Sequence, residues 1–225
     1  SLYRNDAGAW TLAQPLSPVR STPAIAWGDF DNDGDPDFVV SEATSFEGTL
    51  RIYRNDSGTF GTWTDLPPLS ACRLAVGDLD NDGDLDLLVG GRPLGISTPP
   101  TLRVYRNDGA GTFTTLTLPV TTSYPSDVAI GDYDADGRAD VAVSGSDPDA
   151  TCQLRVYHND GGMNFTQSAG PFLTRPASVI SWADADGDGA LDLALNENPP
   201  DVNSATQVGV YYFTGDGFTD RKSVV

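Results

Sequence analysis

Alternating apolar and polar residues recur in short segments along the chain, and this pattern predicts β-strands rather than helices. In the stretch LRIYRN, residues 50–55, every second side chain is expected to face the same way, as in a strand. Together with the segments 24–27, 37–42 and 59–66, it forms one unit of four predicted strands. A turn rich in Asn, Asp and Gly joins the last two strands and can supply the positive φ angles of a tight hairpin.

This unit recurs with a period of about 50 residues, so the chain is built from repeats. An acidic stretch of the form GDFDNDGDPDFVV occurs four times, and its first aspartates are Asp29, Asp78, Asp132 and Asp184. A second motif, of the form IYRNDSGTF, alternates with the first. Its copies begin at Leu2, Ile52, Val104 and Val156, and a degenerate copy begins at Val210.

Residues 1–219 are therefore predicted to form an all-β fold, a β-propeller whose blades are four-stranded antiparallel sheets. Complete blades are expected at residues 24–66, 73–118, 127–168 and 177–219, and half a blade at residues 1–13. These four and a half blades, roughly, are expected to belong to a larger propeller, with seven blades as the family-based guess. Residues 220–225 fit no repeat position and are expected to be a non-native tail.

The charge balance narrows the range of partners. The chain has 32 acidic and 13 basic residues and a formal net charge of −19. Such a polyanion repels nucleic acids and anionic membranes, and it favours cations. No apolar run approaches the roughly 18 residues that a membrane-spanning helix needs, so no membrane insertion is expected. Binding of nucleic acid is not expected either.

Each acidic stretch is predicted to be a calcium-binding loop. Carboxylates at loop positions 1, 3 and 5 can converge on one point, the glycine at position 6 permits a sharp bend, and the aspartate at position 9 can close the site. Position 7 is Asp, Asp, Arg or Ala in the four copies, so only its backbone carbonyl is expected to bind the ion. The unpaired aspartates would otherwise repel one another, which makes metal-free turns the weaker hypothesis.

The predicted ligands follow from these positions, with one Ca²⁺ in each complete blade and about four ions in all. The side-chain ligands are Asp29, Asp31, Asp33, Asp37, Asp78, Asp80, Asp82, Asp86, Asp132, Asp134, Asp136, Asp140, Asp184, Asp186, Asp188 and Asp192. The backbone ligands are the carbonyl oxygens of Asp35, Asp84, Arg138 and Ala190.

An EF-hand begins with a similar pattern, but it ends with a bidentate Glu at position 12 and is flanked by helices. Position 12 of the four loops is Val40, Val89, Val143 or Leu195. Each of these residues belongs to an apolar predicted strand. The pattern therefore argues against an EF-hand and against the dockerin-type variant.

The loops at 28–40, 77–89, 131–143 and 183–195, each followed by an LxVYRNDGGxF-like segment, resemble the FG-GAP/VCBS repeats of integrin α-subunit-like β-propellers. The resemblance covers all of the chain except its last six residues. It implies a propeller with one Ca²⁺ in each loop between the first two strands of a blade, in an extracellular or cell-surface protein. The fourth loop departs from the pattern, since Ala183 replaces the glycine of the other copies.

Other reactive residues are few. His158, the single histidine, occupies the place of Arg4, Arg54 and Arg106 in the other repeats, so it is expected to be a substituted repeat position rather than a catalytic base. Cys72 and Cys152 could be two thiols or a disulfide. No nucleophile–base set, phosphate-binding loop or zinc-protease motif is present, and a non-enzymatic module is expected.

The first hypothesis for function is therefore an extracellular adhesion or ligand-binding module, stabilised by calcium, that works with the remaining blades of its parent protein. Its partner, a protein or a glycan, is expected on the face that carries the connections from strand two to strand three and from strand four to the next blade, because variable loops on a rigid scaffold usually carry recognition. The irregular connections on this face include 43–49, 91–101, 145–153 and 197–206. Two alternatives remain open at this point. One is the propeller domain of a secreted polysaccharide lyase or hydrolase, and the other is a structural spacer.

Overall fold

The computed structural model describes residues 1–15, 24–43, 47–95, 99–118, 124–146, 152–169, 177–197, 207–214 and 218–220. Every helix or strand assigned within these ranges is a β-strand. The strands form one two-stranded hairpin and four four-stranded antiparallel sheets, and neighbours in each sheet follow one another in the chain. The all-β prediction is confirmed, and the arrangement is consistent with a propeller-like fold.

The strands are numbered in chain order. The hairpin contains β1 (Leu2–Asp6) and β2 (Ala9–Gln14). Sheet 1 contains β3 (Ala24–Gly28), β4 (Asp37–Ala43), β5 (Gly48–Asp56) and β6 (Thr59–Leu66). Sheet 2 contains β7 (Leu69–Gly77), β8 (Asp86–Pro93), β9 (Thr101–Asn107) and β10 (Phe113–Thr117). Sheet 3 contains β11 (Tyr124–Gly131), β12 (Asp140–Ser146), β13 (Cys152–Gly161) and β14 (Asn164–Ala169). Sheet 4 contains β15 (Ala177–Ala183), β16 (Asp192–Glu197), β17 (Gln207–Phe213) and β18 (Phe218–Asp220).

The hydrophobic core lies between successive sheets. Leu87, Leu88 and Val89 are consecutive in β8, and all three are fully buried. Leu87 and Val89 belong to a cluster with Val39 of sheet 1, whereas Leu88 belongs to a cluster with Val141 of sheet 3. Sheet 2 is thus covered on both faces, which explains why an unbroken apolar run follows each acidic loop.

The first strands of the four sheets lie next to one another, because β7 contacts β3 and β11, and β11 contacts β15. The acidic loops begin where these strands end, at Gly28, Gly77, Gly131 and Ala183. A Cβ atom at Gly77 would stand 2.8 Å from Cγ2 of Ile130 in the next sheet. The glycine that opens the loop therefore permits close packing between sheets, a role that a local turn motif does not indicate.

We expect Gly77→Ala to lower the free energy of unfolding by about 1–3 kcal/mol, because the new methyl group meets the branched Cβ region of Ile130. Gly61→Ala in β6 is the matched control, since a Cβ atom there meets no atom within 4 Å. This second change is expected to leave stability unchanged or slightly increased. Urea unfolding of both variants measures the difference, and equal midpoints would contradict the packing role.

Parts of the irregular connections lie outside the described residues, namely 44–46 of 43–49, 96–98 of 91–101, 147–151 of 145–153 and 198–206 of 197–206. Residues 221–225 of the expected tail are also outside, whereas Asp220 ends β18. Within the described ranges, no helix has the length and apolar character needed to cross a bilayer.

Cys72 is a buried free thiol, so it forms no disulfide in this structure. Its Sγ atom donates a hydrogen bond to the carbonyl oxygen of Leu69 at 2.5 Å and lies 2.8 Å from the Oγ atom of Ser41. Burial raises the pKa of this thiol, which keeps it protonated at neutral pH. Of the two interpretations left open by the sequence, the thiol is the one that holds for Cys72.

Candidate metal centre in the four acidic loops

Each acidic loop bends at two residues in the left-handed conformation. At position 6 these are the expected glycines, with φ of 91° at Gly34 and 95° at Gly83. Position 4 is left-handed as well, with φ of 57° at Asn32 and 59° at Ala135. Asparagine tolerates this conformation better than most residues, and its presence in two copies was a signal that the sequence reasoning did not use.

The backbone orients the carboxylate at position 1 towards the centre of the loop. In the second loop, Asp78 accepts hydrogen bonds from the amide groups of Asp82 at 3.2 Å and Gly83 at 3.0 Å. The carboxylate of Asp82, at position 5, accepts from the amide of Asp84 at 2.9 Å. The first and third loops repeat these contacts, and the fourth keeps those from positions 6 and 7.

The carboxylate at position 9 joins the loop to the third strand of the same sheet. Asp86 is completely buried, and its Oδ2 and Oδ1 atoms accept hydrogen bonds from the amides of Leu79 and Asn107, both at 2.8 Å. Asp37, Asp140 and Asp192 make the corresponding pairs of bonds. The sequence predicted a metal ligand here, and the structure adds a direct structural role.

Carboxylate oxygens from different positions come together in every loop, within 4.8 Å of one another. In the first loop they belong to positions 1, 3 and 5, namely Asp29, Asp31 and Asp33. In the others they belong to positions 1, 3 and 9, namely Asp78, Asp80 and Asp86, then Asp132, Asp134 and Asp140, then Asp184, Asp186 and Asp192. Asp37, Asp82, Asp136 and Asp188 are not in these groups, although Asp136 belongs to a further group with Asp134 and His158. The backbone ligands at position 7 stay predictions.

One atom of the second loop lacks a partner. Oδ1 of Asp80 is buried and forms no hydrogen bond, although the adjacent Oδ2 lies 3.9 Å from Nε of Arg106. Burial raises the pKa of Asp80, and the charges of Asp82 and Asp78 raise it further. A buried carboxylate oxygen without a partner is costly, and a hard divalent cation among these oxygens would satisfy it. The donor set therefore fits Ca²⁺, which the resemblance implied.

Without metal, we expect the chain to lose stability as the pH rises from 5 to 7.5. Burial raises the pKa of Asp86 to about 7 and that of Asp140 to about 6, from 3.8 for a free side chain. The folded state then binds more protons than the unfolded state across this window, so deprotonation favours unfolding. Urea midpoints in chelator at the two pH values measure the effect, which Asp86→Asn should reduce. A midpoint that rises with pH would contradict the assignment.

Arg54, which follows the tyrosine of the motif IYRNDSGTF in the third strand of sheet 1, lies over the acidic loop of the same sheet. Nε of Arg54 is 2.9 Å from Asp31 and 3.0 Å from Asp56, and its Nη2 is 3.4 Å from Asp33. Arg106 makes a similar set of contacts to Asp80 and Asp108 in the second repeat. His158 replaces the arginine in the third repeat, and it too faces acidic groups.

The asparagine of the second motif connects neighbouring sheets, a role that sequence reasoning missed. Asn107 is fully buried, and its Nδ2 atom donates to the carbonyl oxygen of Phe30 in the preceding loop at 2.7 Å. Asn159 donates to Leu79 of its preceding loop at 2.8 Å. Its recurrence in four copies was the available signal. The local pattern indicates only a hairpin turn, which this asparagine also caps.

Position 7 differs from expectation. Its variation among the four repeats predicted that only its backbone carbonyl has a role, yet its side chains form hydrogen bonds. Oδ2 of Asp35 accepts a hydrogen bond from the amide of Ser57 at 2.9 Å, which joins the loop to the β5–β6 turn. Asp84 accepts from Nδ2 of Asn32 in the neighbouring loop at 2.6 Å. Nε of Arg138 donates to the Asn159 carbonyl at 2.6 Å. The side chain varies in type because each copy has a different partner.

Comparison with known proteins agrees with this architecture. The model of the FG-GAP-like repeat family matches residues 29–89 and 94–143. No curated protein sequence matches significantly. Among 38 similar chains of solved structures is a rhamnogalacturonan lyase from Bacillus licheniformis, with a TM-score of 0.52 and 15% identity. That match covers 96% of this chain and 55% of the lyase chain, so this chain spans about half the length of its neighbour.

Proposed function

Because this chain belongs to the FG-GAP-like repeat proteins, we propose that it is a calcium-stabilised propeller module that binds an extracellular protein or glycan. The observation that carries the calcium assignment is the buried, unpartnered Oδ1 of Asp80 in a loop where three carboxylates converge. The family match and the similarity in fold support the propeller. Adhesion and extracellular location are proposals that rest on the family resemblance.

The residues that would hold the ions are the predicted aspartates at positions 1, 3, 5 and 9 and the carbonyls at position 7. Bound Ca²⁺ supplies positive charge that offsets the repulsion among these carboxylates. The chain itself supplies the orientation, since backbone amides hold Asp78 at position 1 and Asp86 at position 9. Such preorganisation lowers the entropy cost of binding.

We expect chelator to lower the melting temperature of the chain and added calcium to restore it, because the ion binds the folded loops and not the unfolded chain. Calorimetric titration should show about four bound ions, one for each loop. Asp80→Asn is expected to remove about one of them. Asp65→Asn on β6, where the carboxylate pairs with Arg51, is the control and should leave the stoichiometry unchanged. Identical melting curves with and without chelator would refute structural calcium.

The partner is proposed to bind the face opposite the acidic loops, where the second and third strands of each sheet are connected. The described part of this face includes a cleft of about 210 Å³ lined by Glu42, Glu47, Gly48 and Thr49. Glycan-array and pull-down measurements, with and without calcium, test the proposal. Binding that survives replacement of these connections by short Gly-Ser loops would place the partner elsewhere. Failure to bind any ligand would favour a structural spacer.

A second candidate is the propeller domain of a secreted polysaccharide-active enzyme. The structural neighbour is a rhamnogalacturonan lyase, although at 15% identity the similarity shows the fold alone. Rhamnogalacturonan therefore belongs in the ligand panel and in a depolymerisation assay. Cleavage by this chain would favour the enzyme, whereas binding without cleavage would favour the module.

We also propose that the four sheets are blades of a larger propeller. Ile25 of sheet 1 and Ile180 of sheet 4 occupy the same repeat position, yet their exposed fractions are 58% and 5%. Ile180 is covered by sheet 3, with which it shares a hydrophobic cluster. The exposed face of Ile25 is the kind of surface that another blade covers, and the greater length of the structural neighbour agrees with this.

A further inference from the structure

We propose that the third acidic loop is a site for a transition-metal ion such as Zn²⁺, held by His158 together with Asp134 and Asp136. This inference deepens the proposed function and rests on it in one respect, that the loop binds a divalent cation. The zinc site differs from the proposed calcium site in the kind of metal and in the residues that bind it. The other three loops offer only oxygen ligands, whereas this one also offers an imidazole nitrogen, which suits zinc, nickel and copper better than calcium.

The positions of the ligand atoms fit such an ion. Nε2 of His158 lies 3.2 Å from Oδ2 of Asp134 and 3.2 Å from Oδ2 of Asp136. Atoms bound to zinc at about 2.0–2.2 Å stand roughly 3.0–3.5 Å apart in tetrahedral or octahedral shells. All three side chains are about three-quarters buried, with exposed fractions of 21%, 24% and 25%. The distances from Nε2 to the two oxygen atoms are therefore those expected between ligands of one zinc ion.

A fourth residue, Asp160, orients the imidazole ring of His158. Nδ1 of His158 lies 3.0 Å from Oδ1 of Asp160. A carboxylate that accepts from Nδ1 fixes the orientation of the ring, so that Nε2 is the nitrogen that faces Asp134 and Asp136. Metal-bound histidines in proteins commonly have this carboxylate partner, which orients the ring and increases its basicity. A metal ion bound here would take the place of the Nε2 proton that these two carboxylates can otherwise accept.

The first repeat shows that the same carboxylates surround this position when arginine occupies it. Arg54 contacts Asp31, Asp33 and Asp56, which correspond to Asp134, Asp136 and Asp160 in the third repeat. Arginine is a permanent cation and cannot bind metal. Histidine in the same place removes the fixed charge and adds a ligand. The repeat therefore turns an internal ion pair into a potential metal site by one substitution.

The charge of the third loop points in the same direction. Position 7 is Arg138 here, while the first two loops have aspartate at this position. The guanidinium contacts Oδ2 of Asp136, the same oxygen that faces Nε2 of His158, so a bound metal ion would have to share or displace this contact. Calcium binding depends strongly on the number of negative ligands, so this loop is the least suited of the first three to a hard ion. A borderline metal with an imidazole ligand tolerates the lower charge better.

The test uses the untagged chain, in which His158 is the single histidine and gives one set of imidazole NMR signals. We expect one equivalent of Zn²⁺ to shift these signals strongly, because it binds the imidazole nitrogen directly. Ca²⁺, which the loop would hold through oxygen atoms alone, should shift them much less. Asp160→Asn should weaken zinc binding about tenfold and alter the tautomer signature. Imidazole signals that do not respond to zinc would overturn the proposal.

Two reciprocal variants control for folding and for unspecific binding. His158→Arg restores the residue found at positions 54 and 106, so it should fold and should lose the zinc site measured by calorimetry. Arg54→His should create a second zinc site of the same kind. Zinc binding retained in His158→Arg would overturn the proposal. Calcium stabilisation without a zinc response refutes this inference alone, whereas a zinc response without calcium stabilisation refutes the proposed function alone.

Discussion

Asp86→Ala is expected to lower the free energy of unfolding by about 3–5 kcal/mol, the largest loss that a single change in an acidic loop should cause. The substitution leaves two buried amide groups, those of Leu79 and Asn107, without the acceptors that they have at 2.8 Å. It also separates the loop from β9, since both bonds end on one carboxylate. Each unsatisfied buried donor costs about 1–3 kcal/mol, and a cavity adds to this.

Asp84→Ala is the matched control, two positions earlier in the same loop. Its side chain accepts only the exposed hydrogen bond from Asn32, so a loss below about 1 kcal/mol is expected. Urea unfolding in chelator and in calcium separates the structural role of Asp86 from its predicted role as a ligand. A deficit that appears only in calcium would mean that the carboxylate acts solely through the metal. Equal losses for both variants would refute the structural role.

Asn159→Ala is expected to be the next most damaging change, with a loss of about 2–4 kcal/mol. The side chain is 1% exposed, and its Nδ2 atom donates to Leu79 at 2.8 Å and Ala139 at 2.9 Å. Removal of the amide leaves the carbonyl oxygens of Leu79 and Ala139 without this donor and breaks one of the direct hydrogen-bond links between sheets 2 and 3. It also removes the acceptor for the amide of Gly161 at 3.0 Å, which caps the hairpin.

Asn5 offers a control from the same motif. It accepts the equivalent turn bond from Gly8 at 2.7 Å, but it is exposed. Asn5→Ala should therefore report the turn contribution, of about 1 kcal/mol or less. The Nδ2 atom of Asn55 donates to Pro36 in the acidic loop of its own sheet. The loss of stability in Asn55→Ala should therefore lie between those of the variants at 5 and 159. Equal urea midpoints for the variants at 5 and 159 would show that the links between sheets contribute nothing.

The strands and loops were predictable from the sequence because each is a local pattern. The alternation at residues 50–55 and the apolar run after each loop both reflect which faces of a strand are covered by neighbouring sheets. The repeats show both patterns several times. The predicted strand 59–66 agrees with β6 at both ends. The other strands of sheet 1 extend slightly beyond their predicted bounds, since pairing with a neighbour continues where the pattern weakens.

The contacts between sheets were not predictable in this way. Asn107 satisfies the turn rule within its own hairpin, so the local interpretation looked complete. Its second partner, Phe30, lies 77 residues earlier in the chain, and only the packing of sheet against sheet brings the two together. The close approach of Gly77 to Ile130 likewise depends on the packing of sheet 2 against sheet 3. Repetition shows that a residue matters in each copy, but it does not show which neighbouring copy the residue touches.

The chain of hydrogen bonds from loop to loop has a consequence for cation binding. Asn32 of the first loop donates to the second, and Asn81 of the second donates to Gly137 in the third. The amide of Leu191 in the fourth loop donates to the carbonyl oxygen of Tyr133 in the third. An ion that orders one loop would therefore also order donors and acceptors of its neighbours, so the proposed sites are expected to behave as a one-dimensional cooperative array rather than as independent binders. Affinity should then rise from site to site as neighbours fill, and the loop at each end of the array, with one neighbour instead of two, should fill last.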